Sequence, residues 1–464
     1  MATTIEQKPL YSNAVPVGQE VIFTISNNNI VANPNNSNVS FQADVYVSST
    51  FPSTVTGTPL ATFKTKPNNV GVGMFDFRQV VENYVAADNI AGEGSSYKTA
   101  ITNAETSNPI HLVDKYSTNR NALRWLTIQF KTVYTFNGAV TVDTPTNSID
   151  YRLFNGYIKY NDIIELQPNS DFGYDMSQFF PSNQSKRFLT NAPNTQYANV
   201  DDYGTLAFLD DDEKVSFITL TYFNSSGVQI GTEDVIKDTT NGGGFSGTTN
   251  LKYNLFYFGC FPANLRGDGT TLFAGFVAAG TIQGGYYTVR AVKLVTANWT
   301  TQEYRINVNC PNLKGYESVR LCWLNQWGVW DYYTFTQKSI RSISTKGSTY
   351  EQITGTWNES KYRINGYKGG KKTFRVNATE KIKMNTDFVS ESENVMFEEL
   401  TNSPEVYVLE GYSYLFDVLT NLNQYVTPVR VTSTNFTKKT IANDKLIQYT
   451  FEVEKSKTLR TQSV

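Results

Sequence analysis

Three of the six tryptophans of this chain fall within eight residues, in the run Cys322-Trp323-Leu324-Asn325-Gln326-Trp327-Gly328-Val329-Trp330-Asp331-Tyr332-Tyr333-Thr334-Phe335. The pattern is that of a β-hairpin. Val319 to Leu324 is a β-branched and aromatic strand, Asn325-Gln326-Trp327-Gly328 is a polar turn whose glycine can take φ > 0, and Trp330 to Phe335 resumes as a strand. Each buried aromatic removes roughly 150–250 Å² from water, so the hairpin either nucleates a sandwich core or faces another subunit. Alternation puts Leu321 and Trp323 on one face and Cys322 and Leu324 on the other; both faces are apolar and both should be covered. The turn residue Trp327 is expected to project beyond the strands, and Trp327, Trp330 and Tyr332 are the candidate interface residues. The run holds no catalytic constellation.

The order Trp323-Leu324-Asn325, Gly328, Trp330-Asp331-Tyr332, Phe335 resembles a signature of virion proteins of tailed phages, those of marine bacteria and Bacteroidetes above all. Three further segments resemble the same group: Met74-Phe75-Asp76-Phe77 running into Glu82-Asn83-Tyr84, Thr401 to Tyr407, and Asn443 to Glu452. None is the fingerprint of a reaction. The resemblance implies a structural or attachment role in a tail or baseplate among other virion proteins and leaves the component open; the low charge and abundant Tyr and Phe, which leave more apolar area than one chain need bury, add the expectation of a homo-oligomer.

Composition agrees with that class. At 464 residues the chain is longer than one ordinary domain; charged residues are 18% and aromatics 14%, with 29 Tyr and 29 Phe. Tyr, Phe, Thr, Val and Asn dominate long stretches, which favours β-structure with polar loops over helical bundles or disordered tails. A net charge of −2 gives no sign of a nucleic-acid surface, and Lys368-Gly369-Gly370-Lys371-Lys372 reads as a solvated turn before the Phe374-Arg375-Val376 strand. The amino terminus has no basic and apolar leader pattern, and no apolar run approaches 18 residues. Together with the resemblance, which implies a virion assembled in host cytoplasm and released by lysis, this leads to the expectation of no membrane insertion.

Along the chain, Glu20–Ser26, Val39–Val47 and Ala61–Lys66 read as strands, with Val39, Phe41, Ala43, Val45 and Val47 on one buried face. Phe77, Val80, Val81, Tyr84 and Val85 have helical spacing, with Asp76 and Gln79 placed for a capping-box-like start. Leu123–Tyr134 is a long strand before the Asn137-Gly138 turn, and a loop fills 92–108. A boundary falls between Pro168 and Pro193, beyond which Val215–Ile230 forms a hairpin and Tyr286–Leu294 and Glu303–Val308 continue as strands. In the last region Ser390 and Glu393 form an S-x-x-E capping box, Pro404 stops the helix, and Val406–Leu409, Val429–Thr432 and Leu446–Val453 supply strands. The expectation is a mainly β chain: residues 1–175 an N-terminal β-sandwich with one short packed helix, 176–342 a second antiparallel β-sandwich ending in the aromatic hairpin, and 343–464 a small C-terminal α+β module.

Catalytic groups are scarce. The single histidine, His111, excludes zinc sites built on two histidines and reads as a structural side chain at the entry to a strand. Cys260, Cys310 and Cys322 form no C-x-x-C pair and indicate neither a zinc ribbon nor a disulfide framework; Cys260 and Cys322 read as buried small hydrophobes. Asp210-Asp211-Asp212-Glu213 is the most conspicuous acidic cluster, read as a solvated turn ahead of a calcium site or a glycosidase pair; Asp201-Asp202 and Glu398-Glu399 are weaker. Asn241-Gly242-Gly243-Gly244 lacks the Lys-[ST] of a P-loop, and Gly284-Gly285 sits between strands. N-x-[ST] triplets such as Asn298-Trp299-Thr300 carry no meaning in a chain without a leader pattern. No catalytic residue, metal or cofactor is therefore expected, and the chain is read as a structural protein. The runner-up is a carbohydrate-binding adhesin or receptor-binding protein, whose exposed aromatics would stack on a host surface glycan; a polysaccharide-degrading enzyme comes last.

Overall fold

Strand alternation along the first region is realised in Asn36–Ser48, where Phe41, Ala43 and Val45 are fully buried. This computed structural model describes residues 3–9, 14–51, 55–92, 109–159, 176–181, 184–210, 215–235, 254–268, 271–293, 298–299, 301–309, 315–410, 425–433, 435–440, 447–457 and 459–460. Asn36–Ser48 pairs antiparallel with Leu123–Phe136, the long strand expected from the sequence. Asn137 and Gly138 both take positive φ, 48° and 80°, as a two-residue hairpin turn requires, and Ala139–Val142 returns along the same strand. These belong to a seven-stranded sheet, faced by a three-stranded sheet of Thr4–Gln7, Ile22–Ser26 and Val72–Asp76. Phe23 from the smaller sheet meets Phe130 and Tyr151 from the larger at 5.4 and 5.7 Å, so an aromatic core lies between two layers.

The second β region repeats the plan. Six strands include the expected hairpin Phe217–Phe223 and Gln229–Val235, turning at Gly227, and the neighbours Tyr286–Lys293 and Tyr304–Val308. A three-stranded sheet of Thr205–Leu209, Leu255–Gly259 and Tyr116–Thr118 forms the other layer, with Phe188 between Phe208 and Tyr304 at 6.0 and 5.0 Å. Among the described pairings, those of Tyr151–Phe154 with Ala14–Pro16 and of Thr195–Ala198 with Tyr304–Val308 are parallel and the others antiparallel. The carboxy-terminal region is one eight-stranded sheet carrying the helix Asn394–Asn402. Phe397 on that helix packs on Tyr333, Tyr449 and Phe451 at 4.9–5.6 Å. The mainly β class, with a small helix-plus-strand region at the carboxy end, is therefore present.

The compact units divide differently from the expected breaks at 175/176 and 342/343. One unit comprises Met1–Cys310 and Leu324–Asp331; the other comprises Pro311–Trp323, Tyr332–Tyr412 and Gln424–Val464. Both β regions fall in the first unit because the chain is stitched across the expected boundary. Tyr116–Thr118 hydrogen-bonds along Phe256–Phe258, and Tyr257 Oη donates to Asp88 Oδ2 at 3.2 Å. The aromatic hairpin is shared: its tip belongs to the first unit and its strands to the second.

Two local expectations need correction. The helix expected over Phe77–Val85 is a single turn, Arg78–Val81, followed by a 3-10 turn, Glu82–Tyr84. Asp76 ends the preceding strand, and its Oδ1 accepts from the N–H groups of Val21 and Arg78, which ties it to the sheet rather than to a capping box. His111 lies in a buried 3-10 turn, Ile110–Leu112, rather than at a strand entry. By contrast, the Ser390–Glu393 capping box is formed, with the Ser390 N–H donating to Glu393 Oε2 at 2.7 Å, and the helix ends at Asn402 ahead of Pro404.

Candidate functional site: an exposed aromatic arm

The expected interface residues lie inside the protein. Trp327 is only 3% exposed, so it does not project beyond the strands. Asn325 folds the turn back. Its Oδ1 accepts from the N–H groups of Trp327 and Val329, and its Nδ2 donates to the Leu189 carbonyl at 3.0 Å. The Trp327 ring then sits 4.4 Å from Phe179, its Nε1 donating to Asn191 Oδ1 at 3.1 Å. Gly328, at φ +73°, lies so close to the Asn155 backbone that a Cβ would be 1.5 Å from the carbonyl oxygen; only glycine fits.

Trp330 and Tyr332 are buried as well. Trp330 Nε1 donates to the Asp88 carbonyl at 2.9 Å, and the ring meets His111 edge-on at 4.7 Å. Tyr332 lies under the Arg320 guanidinium at 5.3 Å, and Arg320 Nη1 donates to Thr334 Oγ1. Val319 to Trp323 are all buried, so both faces of that strand are covered as alternation required.

The carboxylates beneath the hairpin tip are structural in geometry. Asp88 Oδ1 accepts from the N–H groups of Arg120, Asn121 and Ala122. Burial nevertheless outweighs those bonds and pushes its carboxyl up to about 6. Asp331 accepts from Thr190 Oγ1 at 2.5 Å, and burial pushes it likewise up to about 6, against the opposing pull of Thr190, Asn325 and Arg187.

Of the acidic cluster, Asp211, Asp212 and Glu213 lie outside the described residues. Asp210 is buried rather than on a solvated turn, and its carbonyl accepts from Arg152 Nη1. Asp201 pairs with Arg266, Asp202 accepts from the Asn199 N–H, and Glu398 pairs with Lys438. Cys260 and Cys322 are buried, and burial pushes the Cys322 thiol far above its ordinary range; Cys310 and Asn241–Gly244 lie outside the described residues. Among the described residues no three His, Cys, Asp or Glu side chains gather as a metal ion would need, and no helix is long and apolar enough to cross a membrane.

Exposed aromatic surface appears instead at a place the sequence reading passed over. Strands Ile340–Gln352 and Gly370–Asn385 pair over thirteen positions, from Ile340↔Lys383 to Gln352↔Gly370. At the root the second strand also pairs with Thr450–Lys455 and with Leu459–Arg460. Beyond Lys346 and Asn377, among the described residues, only the two strands remain. They form an arm. Phe374 is an extra residue opposite the Ser348–Thr349 step, a β-bulge that places its ring edge-on to Tyr350 at 6.4 Å.

The arm ends in residues 353–369, folded by short-range bonds. The Thr356 N–H donates to the Arg363 carbonyl at 3.0 Å, Thr356 Oγ1 accepts from the Arg363 N–H, and Gly355 bridges Ile364. Gly369 and Gly370, at φ +93° and +73°, make the turn expected at Lys368–Lys372 before the Phe374 strand. On this tip Trp357 is 80% exposed, Tyr367 76% and Ile364 74%, with Ile353 and Tyr362 also exposed. Such a ring would ordinarily be buried.

Charge is concentrated there too. Residues 345–376 carry seven Lys and Arg against two Glu, in a chain whose net charge is −2. The arm root is held by a network in which Arg341 pairs with Glu317, Glu380 and Glu410, and Lys455 with Glu380 and Glu410, at 2.7–3.2 Å. Bonding to Glu317 and its neighbours raises the Arg341 guanidinium further above its already high range. Burial alone would raise the Glu410 carboxyl, but its bonds to Lys455 and Arg341 lower it on balance.

No protein-family model matches this chain, and no curated protein matches it.

Proposed function

We propose that this chain is a structural component of a phage virion, in the tail or baseplate, and that it works by subunit–subunit assembly rather than by turnover. The observation that carries the reading is the arm. A two-stranded ribbon is marginal in water on its own, yet this one extends past its last neighbouring strand and presents Trp357, Ile364 and Tyr367 to solvent. Exposed apolar groups gathered on one element mark an interaction site. The resemblance of the hairpin and of three other segments to tailed-phage virion proteins supplies the setting. In this reading the hairpin builds the interior of the body and the arm makes the contact, with release by host lysis.

The test is the protein content of particles banded from a phage lysate that contains this chain. Peptides from the chain should copurify with particles in fixed ratio to other virion proteins, and their absence from intact particles would refute the reading. A second reading, binding of a host surface glycan, is favoured by the same Trp357, Tyr362 and Tyr367 rings, because pyranose faces stack on exposed aromatics. Glycan-array binding lost in Trp357→Ala would move the function to attachment.

A further inference from the structure

We propose that two copies of this chain pair along the outer edge of the arm, strand Ile340–Gln352 against its own copy, antiparallel and two-fold with Ser348 on the axis. The inference rests on the assembly reading above and names one partner within it. Ile340–Gln352 is the last strand of its sheet, so one side of it is unpaired among the described strands, and eleven of its thirteen residues are exposed. The opposite edge of the same sheet, Trp330–Phe335, is covered instead, with five of its six residues buried. Edge strands are commonly blunted by a proline, a bulge or several charges. This one has no proline, and the bulged residue Phe374 is on the inner strand. Arg341 is committed to three glutamates, which leaves Lys346 and Glu351 as its remaining charges.

A second copy fits that edge on two grounds. Independent stability of a ribbon requires a third strand; joining the edges makes four strands from arms that have two beyond Lys346 and Asn377. An antiparallel edge is also its own complement, because each copy offers the same N–H and C=O groups in reverse order. The side chains then select the register. A two-fold axis normal to the sheet keeps every side chain on its own face, so one residue must oppose itself. Lys346 on the axis would meet its own charge, and Gly347 there would set Ile343 against Glu351. Ser348 on the axis sets Ile343 against Ile353, both 64% exposed, and Lys346 against the Tyr350 ring, each contact made twice.

The basic groups of the two arms stay apart in this register. Arg375, across the ribbon from Ser348, lies three strand spacings from its copy, roughly 14 Å. That exceeds the ~10 Å over which exposed charges act at about 0.1 M ionic strength. The two tips begin at Ile353, five residues either side of the axis, and point away from one another with roughly 34 Å between their starts. Trp357 and Tyr367 are thereby presented at opposite ends of the four-stranded ribbon, where other subunits can reach them.

The experiment uses the purified full-length chain. Its mass is followed by sedimentation from low to high salt, and five single variants along one face of the strand, Ser344→Cys, Lys346→Cys, Ser348→Cys, Tyr350→Cys and Gln352→Cys, are mildly oxidised. The expected mass is that of a dimer, which does not dissociate as salt rises, unlike a contact of the basic tip. Disulfide-linked dimer should form fastest from position 348, at least tenfold faster than from 344 or 352. Ser348→Lys and Ser348→Glu, with unchanged melting temperatures, should each weaken the dimer roughly three- to fivefold, because a charge of either sign opposes itself on the axis.

Monomeric mass at every concentration, a cross-linking maximum at another position, or a dimer strengthened by either charge would overturn the proposal. The two failures are separable. A chain that dimerises through position 348 but is absent from particles refutes the virion reading alone. A chain present in particles but monomeric when pure refutes this contact alone.

Discussion

Asp331 shows how a single buried group in the hairpin tip sets a measurable property of the fold. Its carboxyl titrates near 6 in the folded protein against an ordinary value of 3.8, because burial penalises the charged form. A raised folded-state value means that the native state binds the proton more tightly than the unfolded chain. Stability from this group is therefore greatest below pH 4 and is lost as pH rises through about 6. Asp331→Asn removes the ionisation and keeps an acceptor for Thr190. Compared by thermal melts, wild type should gain on the variant by up to ~1.4 kcal/mol per pH unit as pH falls from 6 to 4, with the variant equal or more stable at pH 7. Asp88 has the same sign and remains in both proteins, so parallel stability curves would rule out the assignment. The tryptophans give a second residue-scale outcome: Trp323→Ala and Trp327→Ala should each cost ~3–5 kcal/mol in denaturant melts, because both rings are buried. Alternation made the burial of Trp323 legible. Trp327 was not legible, because nothing local to the turn says that Asn325 bonds Leu189 and that Phe179 and Asn191 receive the ring.

At the scale of elements, what could be read was what depended on neighbours in sequence. The Ser390–Glu393 box and the Asn137-Gly138 turn have local causes and were found. The helices Pro262–Asp268 and Leu272–Ala278 were missed, since Leu272-Phe273-Ala274-Gly275-Phe276-Val277-Ala278 is a short apolar run with no period to separate helix from buried strand. The arm was missed for a related reason. Ile340–Gln352 lacks a buried face because, among the described residues, no third strand or layer covers it, so it carries little of the alternation that marks strands. Its signal was an isolated tryptophan, Trp357, amid polar and basic residues. Exposed substitutions away from packing contacts usually change stability by no more than ~0.5 kcal/mol. Trp357→Ala and Tyr367→Ala should therefore leave the melting curve within that range while weakening assembly. A loss of several kcal/mol from either would mean that the arm tip is packed in the folded chain and free of any partner role.

For the whole molecule, the β class was legible because composition and period 2 act all along the chain, whereas the division into units was not. Pairing of Tyr116–Thr118 with Leu255–Gly259 joins segments more than a hundred residues apart, and no boundary composition reports such a bond. The basic surplus of residues 345–376 is likewise visible only once the arm is delimited as an element, since the totals of 40 and 42 nearly cancel. Assembly through a basic arm should weaken as salt rises, because surface charges more than ~10 Å apart are screened at about 0.1 M ionic strength. An assembly held by apolar contact alone would be insensitive to salt or strengthened by it. The most direct test of the proposed virion role is a reconstruction of particles purified from a phage lysate that contains this chain, at a resolution that traces strands. Residues 345–376 should be covered by a neighbouring subunit, with Trp357 in the contact; an arm left bare to solvent in the assembled particle would contradict that role.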